Sequence, residues 1–123
     1  MVEAIDRARH VKQTIVILRE ELRGRTIDNL VADRLDWAGY RYLLQTISEA
    51  ARHIPPDWQL AHGPEIDWRQ ARDLGNALRH GYHSLDAQRL WSIYEHDLDP
   101  LEAAFDRMIA AYDPSGPGRS PTP

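Results

Sequence analysis

The residues best suited to chemistry lie in one polar segment of the chain, residues 72–83. Arg72, Asn76 and His80 follow one another at intervals of four residues, so on an α-helix their side chains share one strip. Histidine can take up or release a proton near neutral pH, and arginine can hold a phosphate between two N–H donors. Metal-free cleavage of RNA needs a group that takes the proton of the 2′-hydroxyl and a cation that stabilises charge on the phosphate oxygens. The spacing therefore indicates a candidate phosphate-cleaving site, in which Asn76 could orient the ring or the substrate.

Two other interpretations of these residues are open from the sequence. At the end of a predicted helix, His80 could serve only to bind the last carbonyl groups. His80 and His83 have a spacing that occurs in zinc sites, but Gly81 interrupts the helix between them and no third ligand is evident. We therefore expect no metal and no other cofactor. The remaining histidines are scattered and are predicted to lie on the surface or to be satisfied locally: His10, His53, His62 and His96.

The composition excludes several classes of function. The chain has 123 residues and a net charge of −4, and its length predicts one domain. Because it has no cysteine, it cannot have a disulfide, a thiolate nucleophile or a Cys-type zinc site. The negative charge argues against sequence-independent binding to nucleic acid through a large basic surface. No segment reaches the roughly 18 apolar residues of a membrane span, and the first residues lack the pattern of a secretory signal. We therefore expect a cytoplasmic protein that does not contact a membrane.

Apolar residues at helical spacing predict two long helices in the first half of the chain. The first helix has apolar residues every three or four positions up to Leu22. The second begins after Thr26, which suits the N-cap position, and runs to about Arg52. Its predicted apolar stripe consists of Leu30, Leu35, Ala38, Tyr42, Ile47 and Ala50. Two prolines follow this helix, and residues 54–66 are predicted to form a loop.

Three shorter helices are predicted in the second half of the chain. The third begins at Asp67 and runs to His80, and the fourth follows the N-cap residue Asp86. The fifth begins at Asp99, which is followed by a proline at the first helical position. The pattern thus predicts an all-α fold of about five helices.

These helices are predicted to form one antiparallel bundle over residues 1–112. Residues 113–123 contain mainly proline, glycine and serine and are predicted to form a disordered tail. The two long helices carry more apolar surface than a small bundle needs, which favours dimerisation through them, although periodicity alone does not distinguish an interface from additional core. The four tryptophans are predicted to lie in the core: Trp37, Trp58, Trp68 and Trp91.

Several short segments together carry a family resemblance through their order and spacing. In chain order they are Leu22-Arg23-Gly24-Arg25-Thr26, Ile47-Ser48-Glu49-Ala50-Ala51, Ile66-Asp67-Trp68, Asn76-Ala77-Leu78-Arg79-His80-Gly81-Tyr82, Leu85-Asp86, Leu90-Trp91-Ser92-Ile93 and Asp97-Leu98-Asp99-Pro100-Leu101. With these segments the chain resembles the HepT-like branch of the HEPN superfamily, a group of helical cytoplasmic proteins of bacteria and archaea. The resemblance implies the same helical fold.

The resemblance also implies a function. The family consists of toxins of two-gene toxin–antitoxin modules, which are metal-independent ribonucleases and homodimers with the active site in a cleft between the protomers. The implied partner is an MntA-like nucleotidyltransferase, the antitoxin, which attaches AMP to the motif tyrosine. The family motif is an arginine, four residues, a histidine, one residue and the tyrosine. His80 and Tyr82 match the histidine and the tyrosine, and Asn76 matches the polar residue that follows the arginine.

The motif arginine is absent, because Gly75 occupies its position. Arg72, one turn of the helix earlier on the His80 strip, or Arg79, beside His80, could supply the missing cation. The alternative is a catalytically inactive dimer that binds the nucleotidyltransferase and cuts no RNA. If the fold tolerates the longer side chain, Gly75→Arg should create or raise ribonuclease activity.

Overall fold

The computed structural model describes residues 2–80 and 86–113, and within these ranges every regular element is a helix. The elements are α1 (Val2–Leu22), α2 (Ile27–Ala32), α3 (Arg34–Arg52), α4 (Pro56–His62), α5 (Trp68–Arg79), α6 (Ala87–Ser92), a π-helix (Ile93–Asp97) and α7 (Leu98–Tyr112). The prediction of an all-α fold is confirmed. The described part of the chain holds more helices than the five predicted, because the second predicted helix is divided and the predicted loop contains a helix.

Helices α1 and α7 pack against each other and run in opposite directions. The Arg19 guanidinium, near the end of α1, lies 2.5 Å from Asp99 at the start of α7, and the Lys12 ammonium, earlier in α1, lies 2.6 Å from a carboxylate oxygen of Glu102. The hydrogen bond to Glu102 raises the pKa of Lys12. The buried face of α1 repeats every three or four residues, as predicted: Ala4, Ile5, Ala8, Val11, Ile15, Leu18 and Leu22.

The end of α7 is joined to α1 by a buried carboxylate. Asp113 is the first residue of the predicted tail, yet only 2% of its surface is exposed, and its side chain forms an ion pair with Arg9. This contact holds the C-terminal end of α7 against the first half of α1. Residues 114–123, the rest of the predicted tail, lie outside the described residues.

The second predicted helix is divided into α2 and α3, so the prediction of one continuous helix is wrong. Asp33 has an extended backbone, with φ −95° and ψ 102°. Its carboxylate accepts a hydrogen bond from the backbone N–H of Asp36 at 3.0 Å. An aspartate can replace a helical hydrogen bond with this local bond, and Asp33 therefore both ends α2 and begins α3.

The predicted apolar stripe of the second helix is confirmed only in part. Leu30, Ile47 and Ala50 are buried as predicted. Leu35 and Tyr42 are 81% and 66% exposed, so their assignment to the core stripe is wrong. Both residues belong to α3 like Ile47, but at 100° per residue they lie about 120° and 140° from Ile47 around the helix, away from the face that packs on the core.

Helix α4 lies within the predicted loop of residues 54–66 and corrects that prediction. Pro56 occupies the first helical position, where a missing backbone N–H costs no hydrogen bond. The Trp58 side chain is buried and stacks on the ring of Tyr112, with 4.0 Å between the ring centroids. The prolines therefore begin a short helix instead of a loop, and the burial of Trp58 stabilises it.

The predicted start of the last helix at Asp99 is also wrong by a small margin. Helix α7 begins at Leu98 and continues directly from the π-helix. The backbone N–H of Leu98 binds the carbonyl of Ile93, five residues back. Pro100 has no N–H with which to continue the α-helical pattern, and a wider π turn just before it accommodates the ring.

The core contains aromatic residues from several helices. Trp58 and Trp91 are buried, and Trp37 and Trp68 pack against the core while partly exposed, in agreement with the prediction. The hydroxyl of Tyr40 donates a hydrogen bond to the carbonyl of Leu90, and burial raises the pKa of this phenol. No helix in the described ranges is both long enough and apolar enough to cross a membrane.

Candidate functional site

Helix α5 carries the candidate site and packs with one face against α3. Asp67 caps the start of the helix by accepting a hydrogen bond from the backbone N–H of Gln70 at 3.0 Å. The helix ends at Arg79, and His80 is its C-cap residue, with its backbone N–H bound to the carbonyl of Asn76 at 3.1 Å. His80 is exposed, so an imidazole stands at the solvent-facing end of α5.

The predicted strip lies on the exposed side of α5, but the two arginines proposed as the missing cation have different surroundings. The Arg79 guanidinium donates to the side-chain oxygen of Asn76 at 2.5 Å and also binds Glu49 of α3. Arg72 is exposed and has no hydrogen bond or ion pair with a residue in the described ranges. Arg79 is therefore held against α3 next to His80, whereas the cation of Arg72 is available to a ligand.

Glu49 is a residue of the site that the sequence reasoning missed. One of its carboxylate oxygens binds Arg79, and the other lies 3.6 Å from the Arg52 guanidinium. Thirty residues separate Glu49 from Arg79 in the chain. The contact depends on how α3 and α5 pack, so no local sequence signal could have shown it.

Gly75 lies on the face of α5 that contacts α3, and it is buried. A Cβ atom built on Gly75 would stand 2.6 Å from the Cβ of Ser48, well inside van der Waals contact. Position 75 therefore faces α3 and not the exposed strip of Arg72 and Asn76. The packing leaves no space for an arginine side chain. An activating effect of Gly75→Arg was predicted only for a fold that tolerates the longer side chain, and this fold does not.

A cleft of about 440 Å³ opens among α3, α5, the π-helix and α7. The residues of α5 that line it are Gln70, Ala71 and Leu74, none of which belongs to the strip. Its charged lining residues are Glu65, Asp67 and Asp97 and, in the described ranges, a single cation, Arg89. An excess of acidic groups disfavours a phosphate ligand, so we place the candidate site at the strip and not in this cleft.

Two predicted site residues have no described geometry. Tyr82 and His83 belong to residues 81–85, which lie outside the described ranges. Within residues 2–80 and 86–113, no group of three or more histidine, aspartate and glutamate side chains is placed to hold a metal ion. The members of the candidate site that lie within the described ranges are His80, Asn76, Arg72 and Arg79, and Glu49 is a partner of Arg79.

Comparison with known proteins gives a consistent result. The model of a family described as "Ribonuclease HepT-like" matches residues 11–108. A protein named "Probable ribonuclease HepT" from Thermococcus cleftensis is 26% identical over 98 residues, which cover 80% of this chain and 88% of that relative. A protein from Caldanaerobacter subterraneus subsp. tengcongensis, named as a candidate RNase, is 22% identical over 100 residues, which cover 81% of this chain and 88% of the relative. No solved structure matches the chain significantly.

Proposed function

The chain belongs to the HepT-like ribonuclease family, whose model matches most of its length, and from this membership we propose that it is a metal-independent endoribonuclease. One observation supports the proposal above all. The exposed side of α5 carries Arg72 two turns before the His80 imidazole, and Arg79 lies next to His80 at the helix end. These are the groups that can move a proton and stabilise a charged phosphate without a metal ion.

The proposed reaction is an internal transesterification of the RNA backbone. A base removes the proton of a ribose 2′-hydroxyl, the 2′-oxygen forms a bond to phosphorus, and the bond from phosphorus to the 5′-oxygen breaks. The 5′-oxygen takes up a proton, so the products are a 2′,3′-cyclic phosphate and a 5′-hydroxyl end. His80 serves as acid or base, and Arg72 is the better candidate for the phosphate clamp because Glu49 and Asn76 already bind Arg79.

The wild-type protein should therefore cleave single-stranded RNA in excess EDTA. Because no step needs a divalent cation, chelation should leave the rate unchanged within about twofold. Mass spectrometry of the products should show 2′,3′-cyclic phosphate ends, which distinguish this reaction from metal-dependent hydrolysis. Absence of cleavage under all conditions, or cleavage only when a divalent ion is added, would contradict the proposal.

We further propose that the protein is the toxin of a toxin–antitoxin module and acts as a homodimer. Three exposed apolar side chains support a dimer interface on α2 and α3: Val31, Leu35 and Tyr42, which are 40%, 81% and 66% exposed. Exposed apolar residues of this size on consecutive helices suit association with a second copy. The antitoxin would be an MntA-like nucleotidyltransferase that attaches AMP to Tyr82, since an AMP group beside His80 would repel an RNA phosphate.

Incubation with ATP and a cognate nucleotidyltransferase should add the mass of AMP to the wild-type protein and abolish RNA cleavage. Tyr82→Phe removes the acceptor hydroxyl and should prevent both effects. Tyr112→Phe is the control, because Tyr112 is 37% exposed and lies at the end of α7, outside the family motif. Addition of AMP to Tyr82→Phe would show that another residue is modified.

A second candidate function is favoured by Gly75. The motif arginine is replaced and its position is filled by the contact with Ser48, which fits an inactive relative that only binds the nucleotidyltransferase. The two functions differ in one result: the inactive dimer would bind the nucleotidyltransferase and leave RNA intact.

A further inference from the structure

Three arginines form a straight row along α3. Arg41 follows Arg34 by seven residues, and Arg52 follows Arg41 by eleven, intervals close to two and three turns of an α-helix. Their Cβ atoms therefore point within about 20° of one direction, and the row extends over about 27 Å. We refer to Arg34, Arg41 and Arg52 as the arginine row.

Two members of the arginine row, Arg34 and Arg41, differ from the arginines of α1 and α7 because they lack ion pairs within the described ranges. Arg19 lies 2.5 Å from Asp99, and Arg107 lies 2.7 Å from Glu65. Arg34 and Arg41, in contrast, have no ion pair with a residue in the described ranges. An arginine that holds a fold together is normally matched by a carboxylate, so unmatched arginines in register on one helix indicate a ligand with several anionic groups.

The arginine row adjoins the candidate active site. Its last member, Arg52, lies 3.6 Å from Glu49, whose other oxygen binds Arg79 beside His80. On α5, Arg69 and Arg72 are exposed and likewise have no described ion-pair partner. The neighbouring surfaces of α3 and α5 thus concentrate positive charge, although the whole chain has a net charge of −4.

We propose that the arginine row binds the phosphate backbone of single-stranded RNA and leads the strand to His80. The inference rests on the proposed ribonuclease function and adds to it the surface that holds the substrate. Guanidinium groups spaced along one helix can bind separate phosphates of one strand without reading the bases, which predicts little dependence on RNA sequence. Because the chain as a whole is negatively charged, RNA should bind at this surface and not elsewhere. The affinity should fall steeply as the salt concentration rises, because the contacts neutralise phosphates.

The test is binding of a fluorescently labelled 2′-O-methyl oligonucleotide, which lacks a free 2′-hydroxyl and cannot be cleaved by this reaction. The double variant Arg34→Gln with Arg41→Gln should raise the Kd by about tenfold or more, because two phosphates would no longer have an arginine partner. The slope of log K against log salt should decrease by about 0.7 for each phosphate that the variant no longer neutralises. With cleavable RNA, KM should rise in parallel while kcat stays close to the wild-type value.

The matched control is Arg23→Gln with Arg89→Gln, which removes the same charge from two exposed arginines that lie outside α3 and α5. An equal loss of affinity in the control would show that only net charge matters and would overturn the inference. Unchanged affinity in the Arg34 and Arg41 variant would overturn it as well. So would conversion of that variant to a monomer in light scattering, because the row would then serve a second copy of the chain.

These outcomes are separate from those for the proposed function. If the wild-type protein binds the oligonucleotide through the arginine row but never cleaves RNA, the inference about binding stands and the ribonuclease proposal fails. If it cleaves RNA and the double variant binds and cleaves as the wild type does, the ribonuclease proposal stands and the inference about the arginine row fails.

Discussion

His80→Ala should lower the rate of RNA cleavage by about 10²–10⁴-fold, the range that follows from the loss of a general acid or base. The expected loss is in kcat, because the imidazole acts on the proton that moves in the reaction and not on the rest of the RNA. The substitution should leave the fold intact, since His80 is exposed and its capping hydrogen bond to Asn76 is made by the backbone N–H. Cleavage of a labelled RNA under single-turnover conditions measures the effect directly.

The control for this prediction is His96→Ala. His96 is also exposed, but it belongs to the π-helix and is not part of the α5 strip. Its replacement should change the cleavage rate by less than about twofold, whereas a nonspecific effect of losing an imidazole would affect both variants. Undiminished cleavage by His80→Ala, with a normal thermal transition, would show that this residue serves only as a helix cap.

Gly75→Arg should destabilise the protein strongly instead of activating it. The first side-chain atom alone would stand 2.6 Å from the Cβ of Ser48, so α5 would have to move away from α3. Overpacking a well-packed contact typically costs about 1–3 kcal/mol, and forcing an unpaired guanidinium into the interface adds to this cost. Urea denaturation should show a decrease of about 3 kcal/mol or more in the free energy of unfolding.

Gly39→Arg provides the matched control, because Gly39 is also a helical glycine but a Cβ atom there would meet nothing within 4 Å. This substitution should be neutral or stabilising by up to about 1 kcal/mol, the difference in helix propensity between glycine and a good helix former. Adding Ser48→Gly to Gly75→Arg should recover part of the lost stability. A Gly75→Arg variant as stable as the wild type and more active on RNA would instead restore the expectation from the family motif.

The parts of the fold that could be predicted are those set by local signals. Asp67 and Asp86 begin α5 and α6 because an aspartate can bind the free N–H groups of a first turn, and this property is visible in the sequence. The break at Asp33 uses the same chemistry, but a single aspartate within an apolar pattern is compatible with an uninterrupted helix. Helix α4 was missed because its stability comes from the packing of Trp58 on Tyr112, which are far apart in the chain.

The sequence predicts the position of the candidate residues along α5 but not their contacts with other helices, and it therefore missed Glu49. The helix end at His80 and the strip of Arg72 and Asn76 follow from spacing along one element. Whether Arg79 is free or held by Glu49 depends on the relative position of two helices, as does the space available at Gly75. Periodicity identifies the face of a helix but does not give the distance to its neighbour.

Lys12 gives the molecule an unusual chemical property, because it is the one lysine in the whole sequence. Acylating reagents attack the neutral amine, and the carboxylates of Glu102 and Asp106 hold this amine in its charged form between α1 and α7. Its acylation should therefore be slower while the two helices stay together than after they separate. A single native side chain thus reports on the opening of the bundle, and covalent labelling can follow that opening without an engineered cysteine or an attached dye.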